Sequence, residues 1–358
     1  MITIRKRTSL ALVGLSAMVA LTGSSLATLD KAEAAPAAPK PSATSATVTH
    51  ANTLTPAVRK LVKGSGVAAE AKAVSSYWTP KRMKAAKSLD KVSDLSLAGK
   101  APKFKANSAP QADGPAVSVK PSTSSKTKKG LSAQTTYPNF PYYSFGARTN
   151  GKVFFSRNGG NYVCSATVVN SEGKSLVWTA GHCVVDGKIW DSNFAFVPSY
   201  NNGSRPYGTW YSRTLTTTSG WYYNRDFSQD VGAATMNRNF GYRIADYLGA
   251  QGITWNQSAN YYVSAFGFPQ GSPYNGQYLT QANGYTYNAG NGTIYMYSGM
   301  TGGSSGGAWY YGYNSSTQAG YVNGHNDFIY TSSPNYMYSP YYGNQVATLY
   351  NAVRNQTV

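Results

Sequence analysis

Thr301-Gly302-Gly303-Ser304-Ser305-Gly306-Gly307-Ala308-Trp309 is the stretch on which the fold turns, because two unrelated architectures set a reactive Ser among glycines. Gly303 to Gly307 satisfies G-x-S-x-G, the pattern of a strand-turn-helix elbow, but that arrangement needs an acid and then a His after the Ser. The only later His is His325, and no Asp or Glu lies between Ser305 and His325. The elbow, and with it an α/β sheet, is excluded. The missing parts lie upstream, in Trp178-Thr179-Ala180-Gly181-His182-Cys183, preceded by Cys164-Ser165-Ala166, and in Asp226-Phe227-Ser228-Gln229-Asp230-Val231-Gly232-Ala233-Ala234. His182, Asp230 and Ser305 follow one another at gaps of 48 and 75 residues. An imidazole can take the Ser proton, and a carboxylate can fix the imidazole tautomer and stabilise its cation. Glycines around the Ser let backbone N–H groups converge on an oxygen that becomes negative, each donor contributing roughly 3 kcal/mol in a transition state.

Outward from these segments, short apolar or aromatic runs recur between Gly, Asn, Ser and Pro clusters. They are Lys152 to Phe155, Tyr162 to Val169, Leu176 to Thr179, Phe194 to Val197, Ile253 to Trp255, Tyr261 to Phe268 and Tyr285 to Tyr287. Strands at such spacing predict an all-β barrel or sandwich arrangement. The best helix signal is Asn344 to Arg354, where Val346, Leu349, Tyr350 and Val353 recur at helical spacing.

Of the 358 residues, the first 135 carry 21 basic and 6 acidic side chains, a net +15, while residues 136–358 carry 11 and 7, a net +4. Tyr is distributed oppositely, with 29 of 30 after residue 135. Residues 1–34 open with Arg5, Lys6 and Arg7, run through an apolar stretch from Leu10 to Leu21 and reach Ala32-Glu33-Ala34, the layout of a secretory signal peptide. Ser25-Leu26-Ala27 is a second place for its cleavage. The apolar run is too short for a membrane span, which takes about 20 residues. Residues 35–135 are rich in Ala, Ser, Pro and Lys and read as a basic low-complexity propeptide or linker, largely disordered. Some helix is expected around Thr55 to Lys72 and Pro80 to Lys91, and Lys128-Lys129-Gly130 is a plausible point of removal. No aromatics interleave the lysines as a nucleic-acid groove requires, so nucleic acid is not an expected partner. Residues 136–358 are left as the folded domain. Two Cys and three His (His50, His182, His325) cannot form a Cys-rich zinc cluster, and neither metal nor cofactor is expected.

Thr179-Ala180-Gly181-His182-Cys183 and Gly303-Ser304-Ser305-Gly306-Gly307, in this order, resemble the His and Ser boxes of trypsin-like, chymotrypsin-fold serine endopeptidases. The likeness falls on the secreted bacterial branch that includes glutamyl endopeptidases and covers roughly residues 140–358. It implies two antiparallel β-barrels with the site between them and a short C-terminal helix. His182 would be the general base, Asp230 the orienting acid, Ser305 the nucleophile, and the N–H groups of Gly303 and Ser305 the oxyanion hole. Cys164 and Cys183 match the family's disulfide beside the His, a loop of a size that stabilises by about 3 kcal/mol. The expectation is a secreted, extracellular, monomeric endopeptidase that hydrolyses protein or peptide substrates through an acyl-enzyme.

Rivals stand beside these assignments. Asp226 competes with Asp230, although Asp230 directly precedes the small-apolar run Val231-Gly232-Ala233. Ser304 competes with Ser305, which the following Gly pair favours. Ser304 also stands where vertebrate-type relatives carry the Asp that pairs with a new N-terminus, so release of steric cover by the basic segment is the simpler route to activation. Trypsin's pocket-floor acid corresponds to Gly299, which gives no support to a Lys or Arg preference. Glutamyl endopeptidases carry a His on the pocket wall, and His325 supplies one nearby, but the pattern equally aligns Asp327 with the pocket strand and turns His325 elsewhere. The reading from another class is a catalytically inactive, protease-fold binding module at the cell envelope.

Overall fold

The computed structural model describes residues 46–89, 96–97, 112, 114–122 and 143–358. The signal peptide (1–34), the Lys128-Lys129-Gly130 site and the boundary near residue 135 lie outside the described residues.

Six strands form the first barrel: β1 (Asn150–Arg157), β2 (Gly160–Val168), β3 (Leu176–Thr179), β4 (Ser192–Pro198), β5 (Trp210–Thr218) and β6 (Gly232–Met236). They pair in the order β5-β4-β1-β2-β3-β6, and β5 pairs β6 to close the ring. The β1–β2 hairpin turns at Asn158-Gly159, both at positive φ, between the paired Arg157 and Gly160. An Asn-Gly loop suits this geometry because its twist matches that of the flanking strands. One face of these strands supplies Val153, Phe155, Ala166, Val168, Val177, Phe194, Phe196 and Leu215 to the barrel interior. The other face carries Phe154, Val163, Trp178, Ala195 and Val197 and is buried as well, in a second core. Burial on both faces is why these strands read as apolar runs rather than as clean alternation.

The second half contains β7 (Gly252–Trp255), β8 (Tyr262–Gly267), β9 (Thr280–Tyr285), β10 (Thr293–Tyr297), β11 (Ala308–Asn314), β12 (Ala319–His325) and β13 (Tyr336–Pro340). One sheet runs β9-β8-β11-β12-β7 and ends on Val117–Val119; another joins Tyr287–Gly290, β10 and β13. Both contribute to one core of Val263, Ala265, Ile294, Met296, Trp309 and Met337. Pairing here is antiparallel except between β7 and β12. The expected strand across Tyr285 to Tyr287 is instead a junction, where β9 ends and the next strand begins. The C-terminal helix spans Asn344–Val353 and buries the four apolar residues expected of it.

Within residues 35–135, the described stretch 46–89 carries regular structure. Thr47–Ala51 adds a strand to β5, and three short helices, Pro56–Arg59, Val67–Tyr77 and Pro80–Ala85, follow where helix was expected. Their sparse apolar residues suffice because each lands in the second core: Val58, Val74, Trp78 and Met83 are fully buried beside Phe154, Val163 and Ala195. Trp78 Nε1 donates to the Asn193 carbonyl (3.0 Å). Composition judges whether a segment can build its own core, and this one borrows a core from the barrel. His50, given no role from sequence, stacks on Trp190 at 5.3 Å. No helix among the described residues is long and apolar enough to cross a membrane.

Candidate active site

His182 sits in a 3-10 turn, Gly181–Cys183, immediately after β3, and Asp230 lies just before β6. The β3–β6 register, with Thr179 opposite Gly232, brings the two together although 48 residues separate them. Asp230 clamps His182 at two points. Its Oδ1 accepts the backbone N–H of His182 at 2.7 Å and its Oδ2 lies 2.8 Å from Nδ1. Asp226 is exposed and caps the following turn, accepting from the Ser228 N–H at 2.9 Å, so it stands away from the imidazole.

Ser305 arrives from the other half, on the loop between β10 and β11, and that loop is bolted to β2, the neighbour of the strand that leads to His182. Ser165 N donates to the Ser305 carbonyl at 2.7 Å, and Ser165 Oγ donates to the Gly303 carbonyl at 2.9 Å. Gly306 has φ +77°, and a Cβ there would meet Thr179 Oγ1 at 2.0 Å. Only glycine allows so close an approach of loop and strand. Gly303, at φ +92°, sets the backbone so that neither its N–H nor that of Ser305 donates to a described residue. Ser304 is fully buried and its Oγ donates to the Thr301 carbonyl at 2.8 Å. The Ser305 hydroxyl makes no hydrogen bond among the described residues, and His182 Nε2 likewise has no partner among them. Cys164 and Cys183 form a disulfide, and the sulfur of Cys183 lies 3.7 Å from the Ser305 carbonyl oxygen.

A small pocket beside Ser305 is lined by Thr301, Gly302, Ser304, Asp327, Phe328, Ile329 and Met337. Neither His325 nor Gly299 is among its lining residues. Asp327, just past the end of β12, is the residue of this neighbourhood that lines the pocket. His325 is buried and its Nδ1 lies 2.9 Å from the Tyr342 hydroxyl. Burial pushes its pKa down to about 3, so it is a neutral core imidazole.

Burial disfavours the charged form of His182, but Asp230 and then Asp327 outweigh it and raise the pKa to about 10. Burial alone would raise Asp230, yet the neighbouring His182 holds it below the usual carboxylate range. Sequence reasoning missed one support of the ring: Arg157 makes a bidentate pair with Asp191 (2.8 and 3.0 Å) and donates to the His182 carbonyl at 2.7 Å. A hairpin-end Arg and a lone Asp carried no local signal of this pairing. His182, Asp230 and Asp327 also form a set with one nitrogen and two carboxylates, but an ion there would require Nδ1 to give up the hydrogen bond to Asp230.

A closed β-barrel bearing the His–Asp pair, joined to a second half bearing a glycine-bounded Ser loop, is the layout of chymotrypsin-fold proteins. Two solved structures match the chain well: the protease Anisep from Arthrobacter nicotinovorans (38% identity, 59% of this chain and 97% of that one, TM-score 0.56) and the thermostable serine protease AL20 from an extremophilic microorganism (37%, 60% and 100%, TM-score 0.56). A glutamyl endopeptidase structure matches more weakly, at 15% identity and a TM-score of 0.48. No family model and no curated protein matches. The chain belongs to the bacterial serine proteases of the chymotrypsin fold.

Proposed function

We propose that the protein is a secreted serine endopeptidase in which Ser305 attacks the scissile carbonyl, His182 takes and returns the proton, and Asp230 holds the imidazole. The observation that carries this is the two-point clamp of Asp230 on His182, set against a loop that offers the Ser305 hydroxyl without a competing partner. His182 Nε2 has no hydrogen-bond partner among the described residues, so the neutral ring has this nitrogen to offer for the Ser305 proton. The free N–H groups of Gly303 and Ser305 would receive the oxyanion. Collapse of the tetrahedral intermediate expels the amine, which takes the proton from His182, and leaves an ester on Ser305; water then repeats the sequence through the same base. Covalent labelling of Ser305 by a fluorophosphonate, with loss of both labelling and hydrolysis in Ser305→Ala and loss of hydrolysis in His182→Ala, is the test. A folded, trimmed chain that stayed unlabelled would favour the inactive binding module.

The export signal at residues 1–34 and the basic segment after it support synthesis as a secreted, latent precursor. Residues 86–89 run along the seam. Ala86 O accepts from Gln270, whose own N–H binds the Gly302 carbonyl, and Lys87–Ser88 pairs in parallel with Tyr162–Val163. Leu89 is buried in the core that holds Ala180 and Cys183, the neighbours of His182. Ser96–Leu97 pairs in parallel with Ile329–Tyr330, and Ile329 lines the pocket. The segment thus has contacts on both sides of Ser305, which supports steric cover as the source of latency. Side-chain preference at the cleaved bond is read by mass spectrometry of cleavage products from a denatured protein mixture.

A further inference from the structure

Asp327 is a buried carboxylate that the proposed triad does not use. It follows the end of β12, and its backbone is fixed from two sides. Its N–H donates to the Tyr338 carbonyl at 3.0 Å, and the preceding Asn326 is tied to the nucleophile loop, with Gly306 N donating to Asn326 O at 2.7 Å and Asn326 N to Gly307 O at 2.9 Å. So held, Asp327 presents Oδ1 3.3 Å from His182 Nδ1, the nitrogen that also contacts Asp230 Oδ2 at 2.8 Å. Neither Asp327 oxygen accepts a hydrogen bond of good geometry among the described residues, and its side chain is fully buried. An unpaired buried carboxylate is costly, and the nearest group able to offset that cost is the imidazolium.

We infer that Asp327 is a positioning residue for His182, a second carboxyl on Nδ1 that, together with Asp230, fixes the ring and raises its basicity. The inference rests on the reading of His182 as the base. One N–H cannot point at two carboxylates at once, so Asp230 keeps the direct bond at 2.8 Å and Asp327 bears on the ring from 3.3 Å, through the charge it carries once ionised. Two carboxylates this close do not both ionise easily. Burial first, and then Asp230, push Asp327 well above the usual carboxylate range, so it and His182 lose their protons as one coupled system. The other charged or titratable groups facing His182 are Arg157, through the His182 carbonyl, with its partners Asp191 and Asp186, and His325, which is neutral. The Asp191 and Asp186 charges sit against Arg157 and Arg225, which leaves Asp327 as the second acid bearing on the ring.

With three histidines in the chain, the imidazoles can be followed one by one. The experiment is a ¹⁵N-histidine NMR titration of the full chain carrying Ser305→Ala, which prevents self-digestion, with and without Asp327→Asn. The expected result is a His182 midpoint lowered by at least about one pH unit, the size of effect one opposite charge at this distance exerts. An unchanged His182 midpoint in the folded variant overturns the inference, whatever the chain's activity. If Asp327→Asn does not fold, Asp327→Ser is measured against the same expectation. In the active Ser305 chain, the acid limb of kcat/KM should move to lower pH by the same amount; a drop in kcat at every pH with the limb in place marks a merely structural residue and refutes the assignment.

Discussion

Trp78→Ala in the full chain probes latency. The Trp78 side chain is fully buried, packs on Phe154 with centroids 5.5 Å apart, and donates from Nε1 to the Asn193 carbonyl. Truncating a buried Trp to Ala costs about 3–5 kcal/mol through lost contacts and the cavity left behind. The indole anchors the N-terminal segment to β4 and β1, so the cost falls on docking of that segment rather than on closure of the barrel. At about 1.4 kcal/mol per tenfold, 4 kcal/mol multiplies the undocked population by roughly 10³. If the segment is what covers Ser305, freshly purified Trp78→Ala precursor should label with a fluorophosphonate, and hydrolyse a quenched peptide, orders of magnitude faster than the parent. Trp78→Phe keeps most of the packing but loses the hydrogen bond, worth about 1 kcal/mol, and should give a gain of only several-fold. A Trp78→Ala precursor with an intact thermal transition and no gain in labelling would refute the reasoning, because an undocked segment would then leave the site closed.

Asp230→Asn should lower kcat by about 10⁴ by presenting the wrong tautomer to Nδ1, whereas Asp226→Ala should cost only the turn cap, about 1 kcal/mol or less of stability, with kcat/KM unchanged; both are read by steady-state kinetics and thermal melting. Replacing Cys164 and Cys183 by Ala opens a loop of sequence separation 19, and the chain-entropy expression then gives a loss of about 3 kcal/mol, measurable by denaturant titration. Lys152 is fully buried with Nζ 2.6 Å from the Gly276 carbonyl, and burial lowers its pKa to about 7. The folded state therefore binds fewer protons than the unfolded state between about pH 7 and 10.5, and stability from this group rises with pH across that window. Lys152→Met should abolish the rise, a difference of the order of 5 kcal/mol between pH 7 and 10.5, and equal pH slopes in the two proteins would refute it. His182 works in the opposite sense: its raised pKa gives stability that is fully present below about pH 6.5 and lost as pH climbs toward 10, so His182→Gln should flatten that fall in denaturant titrations.

Chain order alone separated two architectures here, because an acid and a His either follow Ser305 or they do not, and no packing alters that. Strands β1 to β4 were legible as apolar runs, as in β1, whose residues are all buried. β6 was read only as the run after Asp230, and β5 and β10 to β13, rich in Thr, Tyr and Gly, were not among the runs read as strands; their signal is weak by itself and they are stabilised by their neighbours. The helix at Asn344–Val353 was legible because its apolar stripe faces one surface. In segment 46–89 the helices were legible but their docking was not, because its few apolar residues could not stabilise a fold of their own and nothing local says that Val58, Val74 and Trp78 lie against Phe154.

The same division runs through the site. Residue types, their order and the glycines around Ser305 were set by sequence, since the chemistry of an imidazole, a carboxylate and a hydroxyl is intrinsic to them. Their selection among rivals was a matter of space: the β3–β6 register delivers Asp230 and leaves Asp226 outside, the bond to Thr301 occupies Ser304, and the exit of β12 turns Asp327 toward His182 while His325 packs on Tyr342. These choices depend on contacts between residues far apart along the chain, and on burial strong enough to shift a proton, which only the assembled barrels supply.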